Sequence, residues 1–451
     1  MVNNPRQKAR GRRGSSSFTE AKTRSHLLQT RNSSRAQRPE DARSFNRALV
    51  YRCIWEHDSI SRSDLSRTTG LSAPVITAIV AELIDASLVR ESGHRDSTGG
   101  RRSMALSIDV GSWNAVAIDI ARRRTTLAVI DPIGKVLKER VTTTSNSADP
   151  DANLRWLIGL ISDLLSSLPR SKGRLLAIGI GAPGPLHAET GEILNVTDFG
   201  DWHDLDLRIA LERRFKVPVR VENDANVCAI AQRFFGVGRD VENFVYLALG
   251  SGVGAGVFVG GHLYRGSNWL AGEIGHTTVD VRGPTCPCGN IGCLELFTTV
   301  SAAMARWPGA PQDRVNGDEV MAIQALDDAA KRGDEGALAA IAQTAAYVAA
   351  GVVNVVNFLD PEVVIVGREL GQLGSLLIDP IRRAVASRTF PDARRTIRVE
   401  SDPLGASTPV RGAFCLILQE LVDSRSPLLE GMVAAGRRST RANSGPTNVG
   451  A

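Results

Sequence analysis

The sequence predicts an α/β protein of two lobes with a cleft between them, preceded by a small, mostly helical head. Three observations predict it. From about residue 108 to 422, apolar strand-like runs alternate with helical ones, the pattern of sheets covered by helices. Residues 41–107 instead place three helical stretches ahead of two strand-like ones. Outside these limits the chain turns polar, so residues 1–40 and 423–451 are expected to be disordered tails.

In the head, Ala48, Leu49, Tyr51, Ile54 and Trp55 form a helical stripe. Ser61 begins a second helix with Leu65 inward, and Thr69-Gly70 make a turn. Ser72 is expected to cap a third helix, with Pro74 in its first turn and Ile76, Ile79, Val80 and Leu83 inward. Leu88–Arg90 and Ser103–Ile108 read as strands around a polar, Gly-rich tip from Gly93 to Arg102. Helix, helix, turn, helix, hairpin is the order of a winged helix-turn-helix, whose third helix enters the major groove of double-stranded DNA. The outward positions of that helix are Ser72, Ala73, Thr77 and Ala78, with Val75 beside them. No Arg, Lys, Asn or Gln lies between Leu71 and Glu82, so a bidentate guanine contact is not expected. Arg101 and Arg102 in the wing are then expected to supply much of the affinity. One short helix reads too few bases, so a homodimer or homotetramer is expected.

In the body, Ala115–Ile120 and Thr125–Asp131 read as paired strands and Leu154–Leu168 as a helix. Leu175–Gly181 is a buried strand that runs into Ala182-Pro183-Gly184-Pro185. Leu205–Phe215 is a helix, Val217–Glu222 a strand and Ala225–Phe235 a helix. Phe244–Leu249 and Gly254–Val259 are strands around a glycine turn. Gly333–Phe358 covers a helix and Val363–Val366 a further strand. The most apolar part of that helix is interrupted by Gln343, Thr344, Asn354 and Asn357. It is expected to be a buried helix, with no membrane as a partner.

The 451 residues are 43% hydrophobic and 23% charged, ordinary for a soluble globular protein. The net charge is +6, but the first 40 residues carry ten Lys and Arg against two acids. The rest of the chain is therefore at −2, and the basic excess belongs to a tail able to act as a phosphate-binding arm. No apolar signal segment is visible, so a cytoplasmic protein with reduced thiols is expected. Three of the six cysteines, Cys286, Cys288 and Cys293, sit within eight residues, which in that compartment favours a metal over disulfides. With His276 ten residues upstream they supply a closed Cys₃His set, typical of structural Zn²⁺. Cys53, Cys228 and Cys415 lie in apolar helical contexts and are expected in the core. Asn223 and Asp224 follow a buried strand and open a helix. A carboxylate there can accept a proton from a hydroxyl in the cleft, and the same pair equally suits a helix N-cap.

Three motifs now stand in order: Val221-Glu222-Asn223-Asp224-Ala225-Asn226, Gly272-Glu273-Ile274-Gly275-His276, and the run from Cys286-Pro287-Cys288 through Gly292-Cys293-Leu294-Glu295. Together they closely resemble the ROK family of repressors, open reading frames and kinases, from about Ala115 to Leu421. The preceding segment resembles the winged helix-turn-helix of its repressors, such as the xylose and N-acetylglucosamine repressors. The resemblance implies a two-lobed actin-like and hexokinase-like (ribonuclease H-like) ATPase fold. It implies sugar-hydroxyl contacts from Asn223, Asp224, Glu273, His276 and Glu295, with Asp224 at the position of the catalytic base of the family's kinases. His276 would then touch both metal and sugar.

The phosphate side departs from the family pattern. Asp119 is taken over Asp109 as the match to the family's Asp-x-Gly-Gly-Thr loop, and Ala121 and Arg122 stand where glycines would let backbone approach a phosphate. Gly367-Arg368-Glu369 is less Gly-rich than the loop near the nucleotide base, and Asp198-Phe199-Gly200-Asp201-Trp202 departs in the sugar loop. The expectation is a sugar-responsive, DNA-binding transcriptional regulator, a repressor with no kinase activity, whose partners are operator DNA and a monosaccharide or derivative. The alternative is an active ATP-dependent sugar kinase with a DNA-binding head.

Overall fold

The computed structural model describes residues 39–57, 59–94, 104–169, 173–187, 190–193, 202, 205–311, 318–391, 397–423 and 427–443. The N-terminal tail and the wing tip with Arg101 and Arg102 lie outside them.

The head consists of α1 (Pro39–Trp55), β1 (Ile60–Ser61), α2 (Arg62–Thr69), α3 (Ala73–Asp85), β2 (Val89–His94) and β3 (Met104–Ile108). A capping box starts α2: the Ser61 hydroxyl accepts from the Asp64 N–H, and the Asp64 carboxylate accepts from the Ser61 N–H. Gly70 ends it at φ +72, a left-handed conformation natural to glycine. The chain turns by 117° into α3. Ser72 holds the N-cap position of α3, but its hydroxyl makes no cap hydrogen bond. Pro74 in the first turn supplies the start instead. Leu65, Ile76, Ile79, Val80 and Leu83 are buried with Tyr51 and Ile54, while Ser72, Ala73, Val75, Thr77 and Ala78 face solvent. The strands form a small antiparallel sheet in the order β1-β3-β2.

The first lobe opens with an antiparallel meander, β4 (Trp113–Ile120), β5 (Arg124–Ile130) and β6 (Val136–Thr143). Helix α4 (Pro150–Ser166) leads to β7 (Arg174–Ala182), parallel to β4. A short hairpin, β8 (Leu186–His187) and β9 (Glu192–Ile193), precedes α5 (Leu207–Phe215) and β10 (Val219–Asn223). The strand order is β10-β7-β4-β5-β6. Helix α6 (Asp224–Phe235) passes to the second lobe, which opens with β11 (Phe244–Leu249), β12 (Val253–Val259) and β13 (His262–Leu263). There follow α7 (Glu295–Thr298), α8 (Val300–Ala305), α9 (Glu319–Lys331), α10 (Glu335–Leu359), β14 (Val363–Gly367), α11 (Arg368–Gly371), α12 (Ser375–Arg388) and β15 (Arg398–Ser401). Its sheet runs β13-β12-β11-β14-β15, so both lobes repeat one plan: three antiparallel strands, then two parallel ones. Helix α10 is the buried helix that its polar interruptions predict. Its Thr344 is fully buried, donates to the Ala340 carbonyl and accepts from Arg306.

Helices α6 and α13 (Thr408–Val422) pack against each other and against the sheets. The approach is close enough to demand glycine. A Cβ at Gly179 would meet the Ala413 carbonyl oxygen at 1.9 Å, and one at Gly256 the Ala225 carbonyl oxygen at 2.6 Å. Trp55 of α1 packs edge-on against Phe234 and Phe235 of α6, and its indole N–H donates to the Pro132 carbonyl. Head and first lobe thus share one continuous apolar core.

The expected C-terminal tail is a correction. Residues Pro427–Asn443 form a helix, α14, which packs back onto α3 of the head. Leu428, Leu429, Met432 and Val433 are buried, and Gly436 lies against Ala86. These four side chains make a helical stripe that the surrounding polar composition hides. Arg47, only 3% exposed, ties the assembly together by pairing with Glu82 of α3 and Glu430 of α14. Removing it takes from the buried Glu82 a guanidinium that donates to its carboxylate through two nitrogens. Arg47→Ala should therefore lower stability by about 3 kcal/mol in urea denaturation, with the loss read by a probe in the head.

Candidate functional site: the interlobe cleft

Between the lobes lies a cavity of about 360 Å³ whose walls include Asn223, Asp224, Glu273, His276 and Glu295. These residues come from separate elements: the β10–α6 junction, the loop after β13, and the start of α7. The size falls in the range of small-molecule pockets.

Asn223 is the N-cap of α6. Its side-chain oxygen accepts from the N–H groups of Ala225 and Asn226, and its amide donates to the Gly184 carbonyl. Both ends of this side chain therefore hold backbone, so its place at the cavity is chiefly that of a brace. Asp224 is the first residue of α6; its Oδ1 accepts from Ala225 N–H, while its Oδ2 faces Arg368 at 4.0 Å. Burial pushes the Asp224 carboxyl up to about 6; neighbouring Asp119 adds to this, and Arg368 and Arg122 oppose it. Burial also raises Glu273, reinforced by Asp224 and Glu295 and opposed by His276. Glu295 Oε2 accepts from the N–H of Val253, which ties α7 to the glycine turn between β11 and β12.

Beside the cavity, His276, Cys286, Cys288 and Cys293 offer one ligand atom each within 4.8 Å of one another. Cys286 Sγ lies 3.8 Å from His276 Nδ1, and Cys288 Sγ 3.7 Å from Cys293 Sγ. Asn290 closes the loop by donating to the His276 carbonyl and to Thr278 Oγ1. His276 Nδ1 thus faces the Cys286 sulfur, and the same residue lines the cavity. Cys53, Cys228 and Cys415 are buried in helices α1, α6 and α13.

On the far side of the cleft, Asp119 is the last but one residue of β4, and Ala121 and Arg122 lie in the turn into β5. Asp109 lies in the joint after β3, where its carboxylate accepts from Gly111 N–H. A second cavity of about 560 Å³ adjoins here; Ala121, Arg122 and Arg368 line both cavities. The sequence marks Arg368 only as a break in a glycine-rich loop. In the structure its guanidinium is 8% exposed and donates to Asp119 Oδ2 at 3.0 Å. The one signal available in sequence was a long basic residue where the pattern asks for glycine. Residues 194–201, which hold most of the departing loop, lie outside the described residues; Trp202 is buried and its indole donates to the Ser145 carbonyl.

Comparison with known proteins gives this cleft its relatives. The xylose repressor of Caldicellulosiruptor bescii is 30% identical over 388 residues, covering 84% of this chain and 97% of that protein. The N-acetylglucosamine repressor of Escherichia coli O157:H7 is 27% identical over 390 residues, covering 84% and 94%. Among solved structures, a ROK family transcriptional regulator, a homolog of the E. coli MLC protein, superposes with a TM-score of 0.74 at 29% identity, over 87% of this chain and all of that one. A ROK family glucokinase from Streptomyces griseus, in complex with glucose and AMPPNP, matches with a TM-score of 0.60 at 27% identity, over 68% of this chain and 99% of that one. The ROK family model matches residues 115–420, which take in both lobes, and the chain belongs to the ROK family.

Proposed function

We propose that this protein is a sugar-responsive transcriptional repressor: the head binds operator DNA, and a monosaccharide or derivative in the cleft modulates that binding. The observation that carries the reading is the convergence of Asp224, Glu273, Glu295 and His276 on one cavity. Carboxylates that accept two hydrogen bonds suit adjacent hydroxyls. The names of the relatives, xylose repressor and N-acetylglucosamine repressor, point the same way. The test is fluorescence anisotropy on operator DNA recovered by selection from random sequence, titrated with xylose, glucose and N-acetylglucosamine and their phosphates. One of these should release or retain the DNA; indifference to all of them overturns the reading.

The head carries the DNA-binding half of the proposal. Its two helices at 117° and its three-stranded sheet support the reading as a winged helix-turn-helix. Ser72, Ala73, Thr77 and Ala78 would meet the groove without a long polar reader, so Arg101 and Arg102 supply much of the affinity. The double variant Arg101→Ala, Arg102→Ala should weaken binding and reduce the salt slope by about one to two units in a salt titration. Two half-sites are read by a homodimer or homotetramer.

The metal of the Cys₃His cluster is zinc in this proposal. With Zn–S bonds of about 2.3 Å, a tetrahedron has sulfur–sulfur edges of about 3.8 Å, close to the observed 3.7 Å between Cys288 and Cys293. The ion is structural: it holds the loop that aims His276 and Glu295 at the cavity. The kinase alternative is set aside on the phosphate side, where Ala121 and Arg122 occupy the hairpin and leave no glycine for close backbone approach.

A further inference from the structure

Arg368 stands at the junction of the two cavities and of the two lobes. It follows β14 of the second lobe and takes φ +62, a left-handed backbone that glycine adopts without strain. Its guanidinium lies 3.0 Å from Asp119 Oδ2 and 4.0 Å from Asp224 Oδ2. Its Nε is 3.9 Å from Glu369 Oε2. One cation thus faces three carboxylates. Two of their oxygens, Asp119 Oδ1 and Glu369 Oε2, are buried with no hydrogen-bond partner among the described residues. Buried carboxylates in such a group require a cation among them. Phosphoryl transfer, in turn, requires metal-bound phosphate in the same space as the acceptor hydroxyl. Here Arg368, with Ala121 and Arg122, forms a wall common to both cavities.

Resting on the reading of the cleft as a sugar site, we infer that Arg368 determines its specificity. The guanidinium is a tethered cation in the place a diffusible metal would take between Asp119 and Asp224, so the cavity admits a sugar and bars a metal–triphosphate. A glycine at 368 would relieve the backbone and leave three acidic groups around an open space, which is a site for a hard divalent cation. The same guanidinium spans the lobes, because Asp119 belongs to the first sheet and Arg368 follows the last strand but one of the second.

The test uses the full-length protein and its Arg368→Gly, Arg368→Gln and Arg368→Lys variants, followed by thermal melting in MgCl₂ alone and in MgCl₂ with AMPPNP. Arg368→Gln keeps the bulk of the side chain and carries the test should the glycine variant not fold. The wild type and Arg368→Lys should be insensitive to Mg²⁺. Arg368→Gly or Arg368→Gln should be stabilised by it and bind Mg²⁺ with AMPPNP at least about tenfold more tightly than wild type. Absence of that gain in both neutral variants, or wild-type binding of Mg²⁺ with AMPPNP as tight as theirs, overturns the inference. Calorimetry of the wild type with xylose, glucose and N-acetylglucosamine separates the two readings. A wild type that binds no sugar, beside neutral variants that gain Mg²⁺, overturns the sugar reading and supports Arg368 as the resident cation.

Discussion

Cys293→Ser is expected to strip the metal from the protein and to abolish the sugar response in one step. Cys293 is fully buried and is the last of the four ligands in the chain: its sulfur is 3.7 Å from Cys288 Sγ, and its backbone bridges to Thr278. Burial, with Cys286 and Cys288 beside it, pushes the metal-free Cys293 thiol up to about 12, and burial also raises Cys286, whereas the Asn290 backbone lowers Cys288; without an ion the first two hold their protons at neutral pH. Zinc must displace those protons, and retention should fall as pH is lowered. Structural zinc contributes about 10–16 kcal/mol in small domains, far more than the local contacts of this loop can replace. Elemental analysis should find about one zinc per wild-type chain and close to none in the variant. DNA binding without sugar should survive, since the head lies elsewhere. Metal-free protein that responds fully to sugar would remove the cluster from the mechanism.

The second large effect is on sugar affinity. Asp224→Asn should leave the fold intact and weaken sugar binding by roughly a hundredfold, because a site built to accept a hydroxyl proton is left without its acceptor. The variant keeps the bond from Ala225 N–H, since an amide oxygen also accepts. The sign of the pH effect follows from the raised carboxyl, about 6 against 3.8. Between those values the folded state binds a proton that the unfolded chain has released. This group therefore favours the fold below about pH 4, and that contribution is lost as pH rises through 6. The wild type carries that cost at neutral pH and Asp224→Asn does not, so the variant should melt no lower than wild type while binding less. Wild-type sugar affinity should fall below pH 6 as Asp224 protonates, an effect absent from the variant. A pH-independent wild-type affinity in calorimetry would deny Asp224 its role as acceptor.

Much of this protein is legible in its residues because the relevant physics is local. The Ser61–Asp64 capping box, the Gly70 turn and the inward stripe Ile76, Ile79, Val80 and Leu83 are set by spacing within one or two helical turns. The metal loop is equally local, four ligands within eighteen residues. Strand β6, with the sequence Val136–Thr143, escapes such reading because it is a mostly exposed edge strand whose partner is supplied only by β5. The same holds for β15, four residues long and paired only with β14. Helix α14 escapes because its buried face is defined by the head, which is nearly four hundred residues earlier in the chain and joined to it through Arg47 and Glu430.

The sequence by itself determined the α/β class, the helical head and the cysteine cluster, since each rests on periodicity or spacing; the grouping of Asp224 with Glu273 and Glu295 came from the resemblance to the ROK family. Tertiary structure alone decided three things. It repeated one strand plan in both lobes, which no matching side-chain pattern announces. It folded the C-terminal segment onto the head, where four scattered apolar residues meet a face they cannot meet locally. It also brought Arg368 to Asp119 and Asp224 across 249 and 144 positions of sequence. The reason is common to all three: a buried charge or an apolar stripe is defined by what covers it, and here the cover comes from a distant part of the chain.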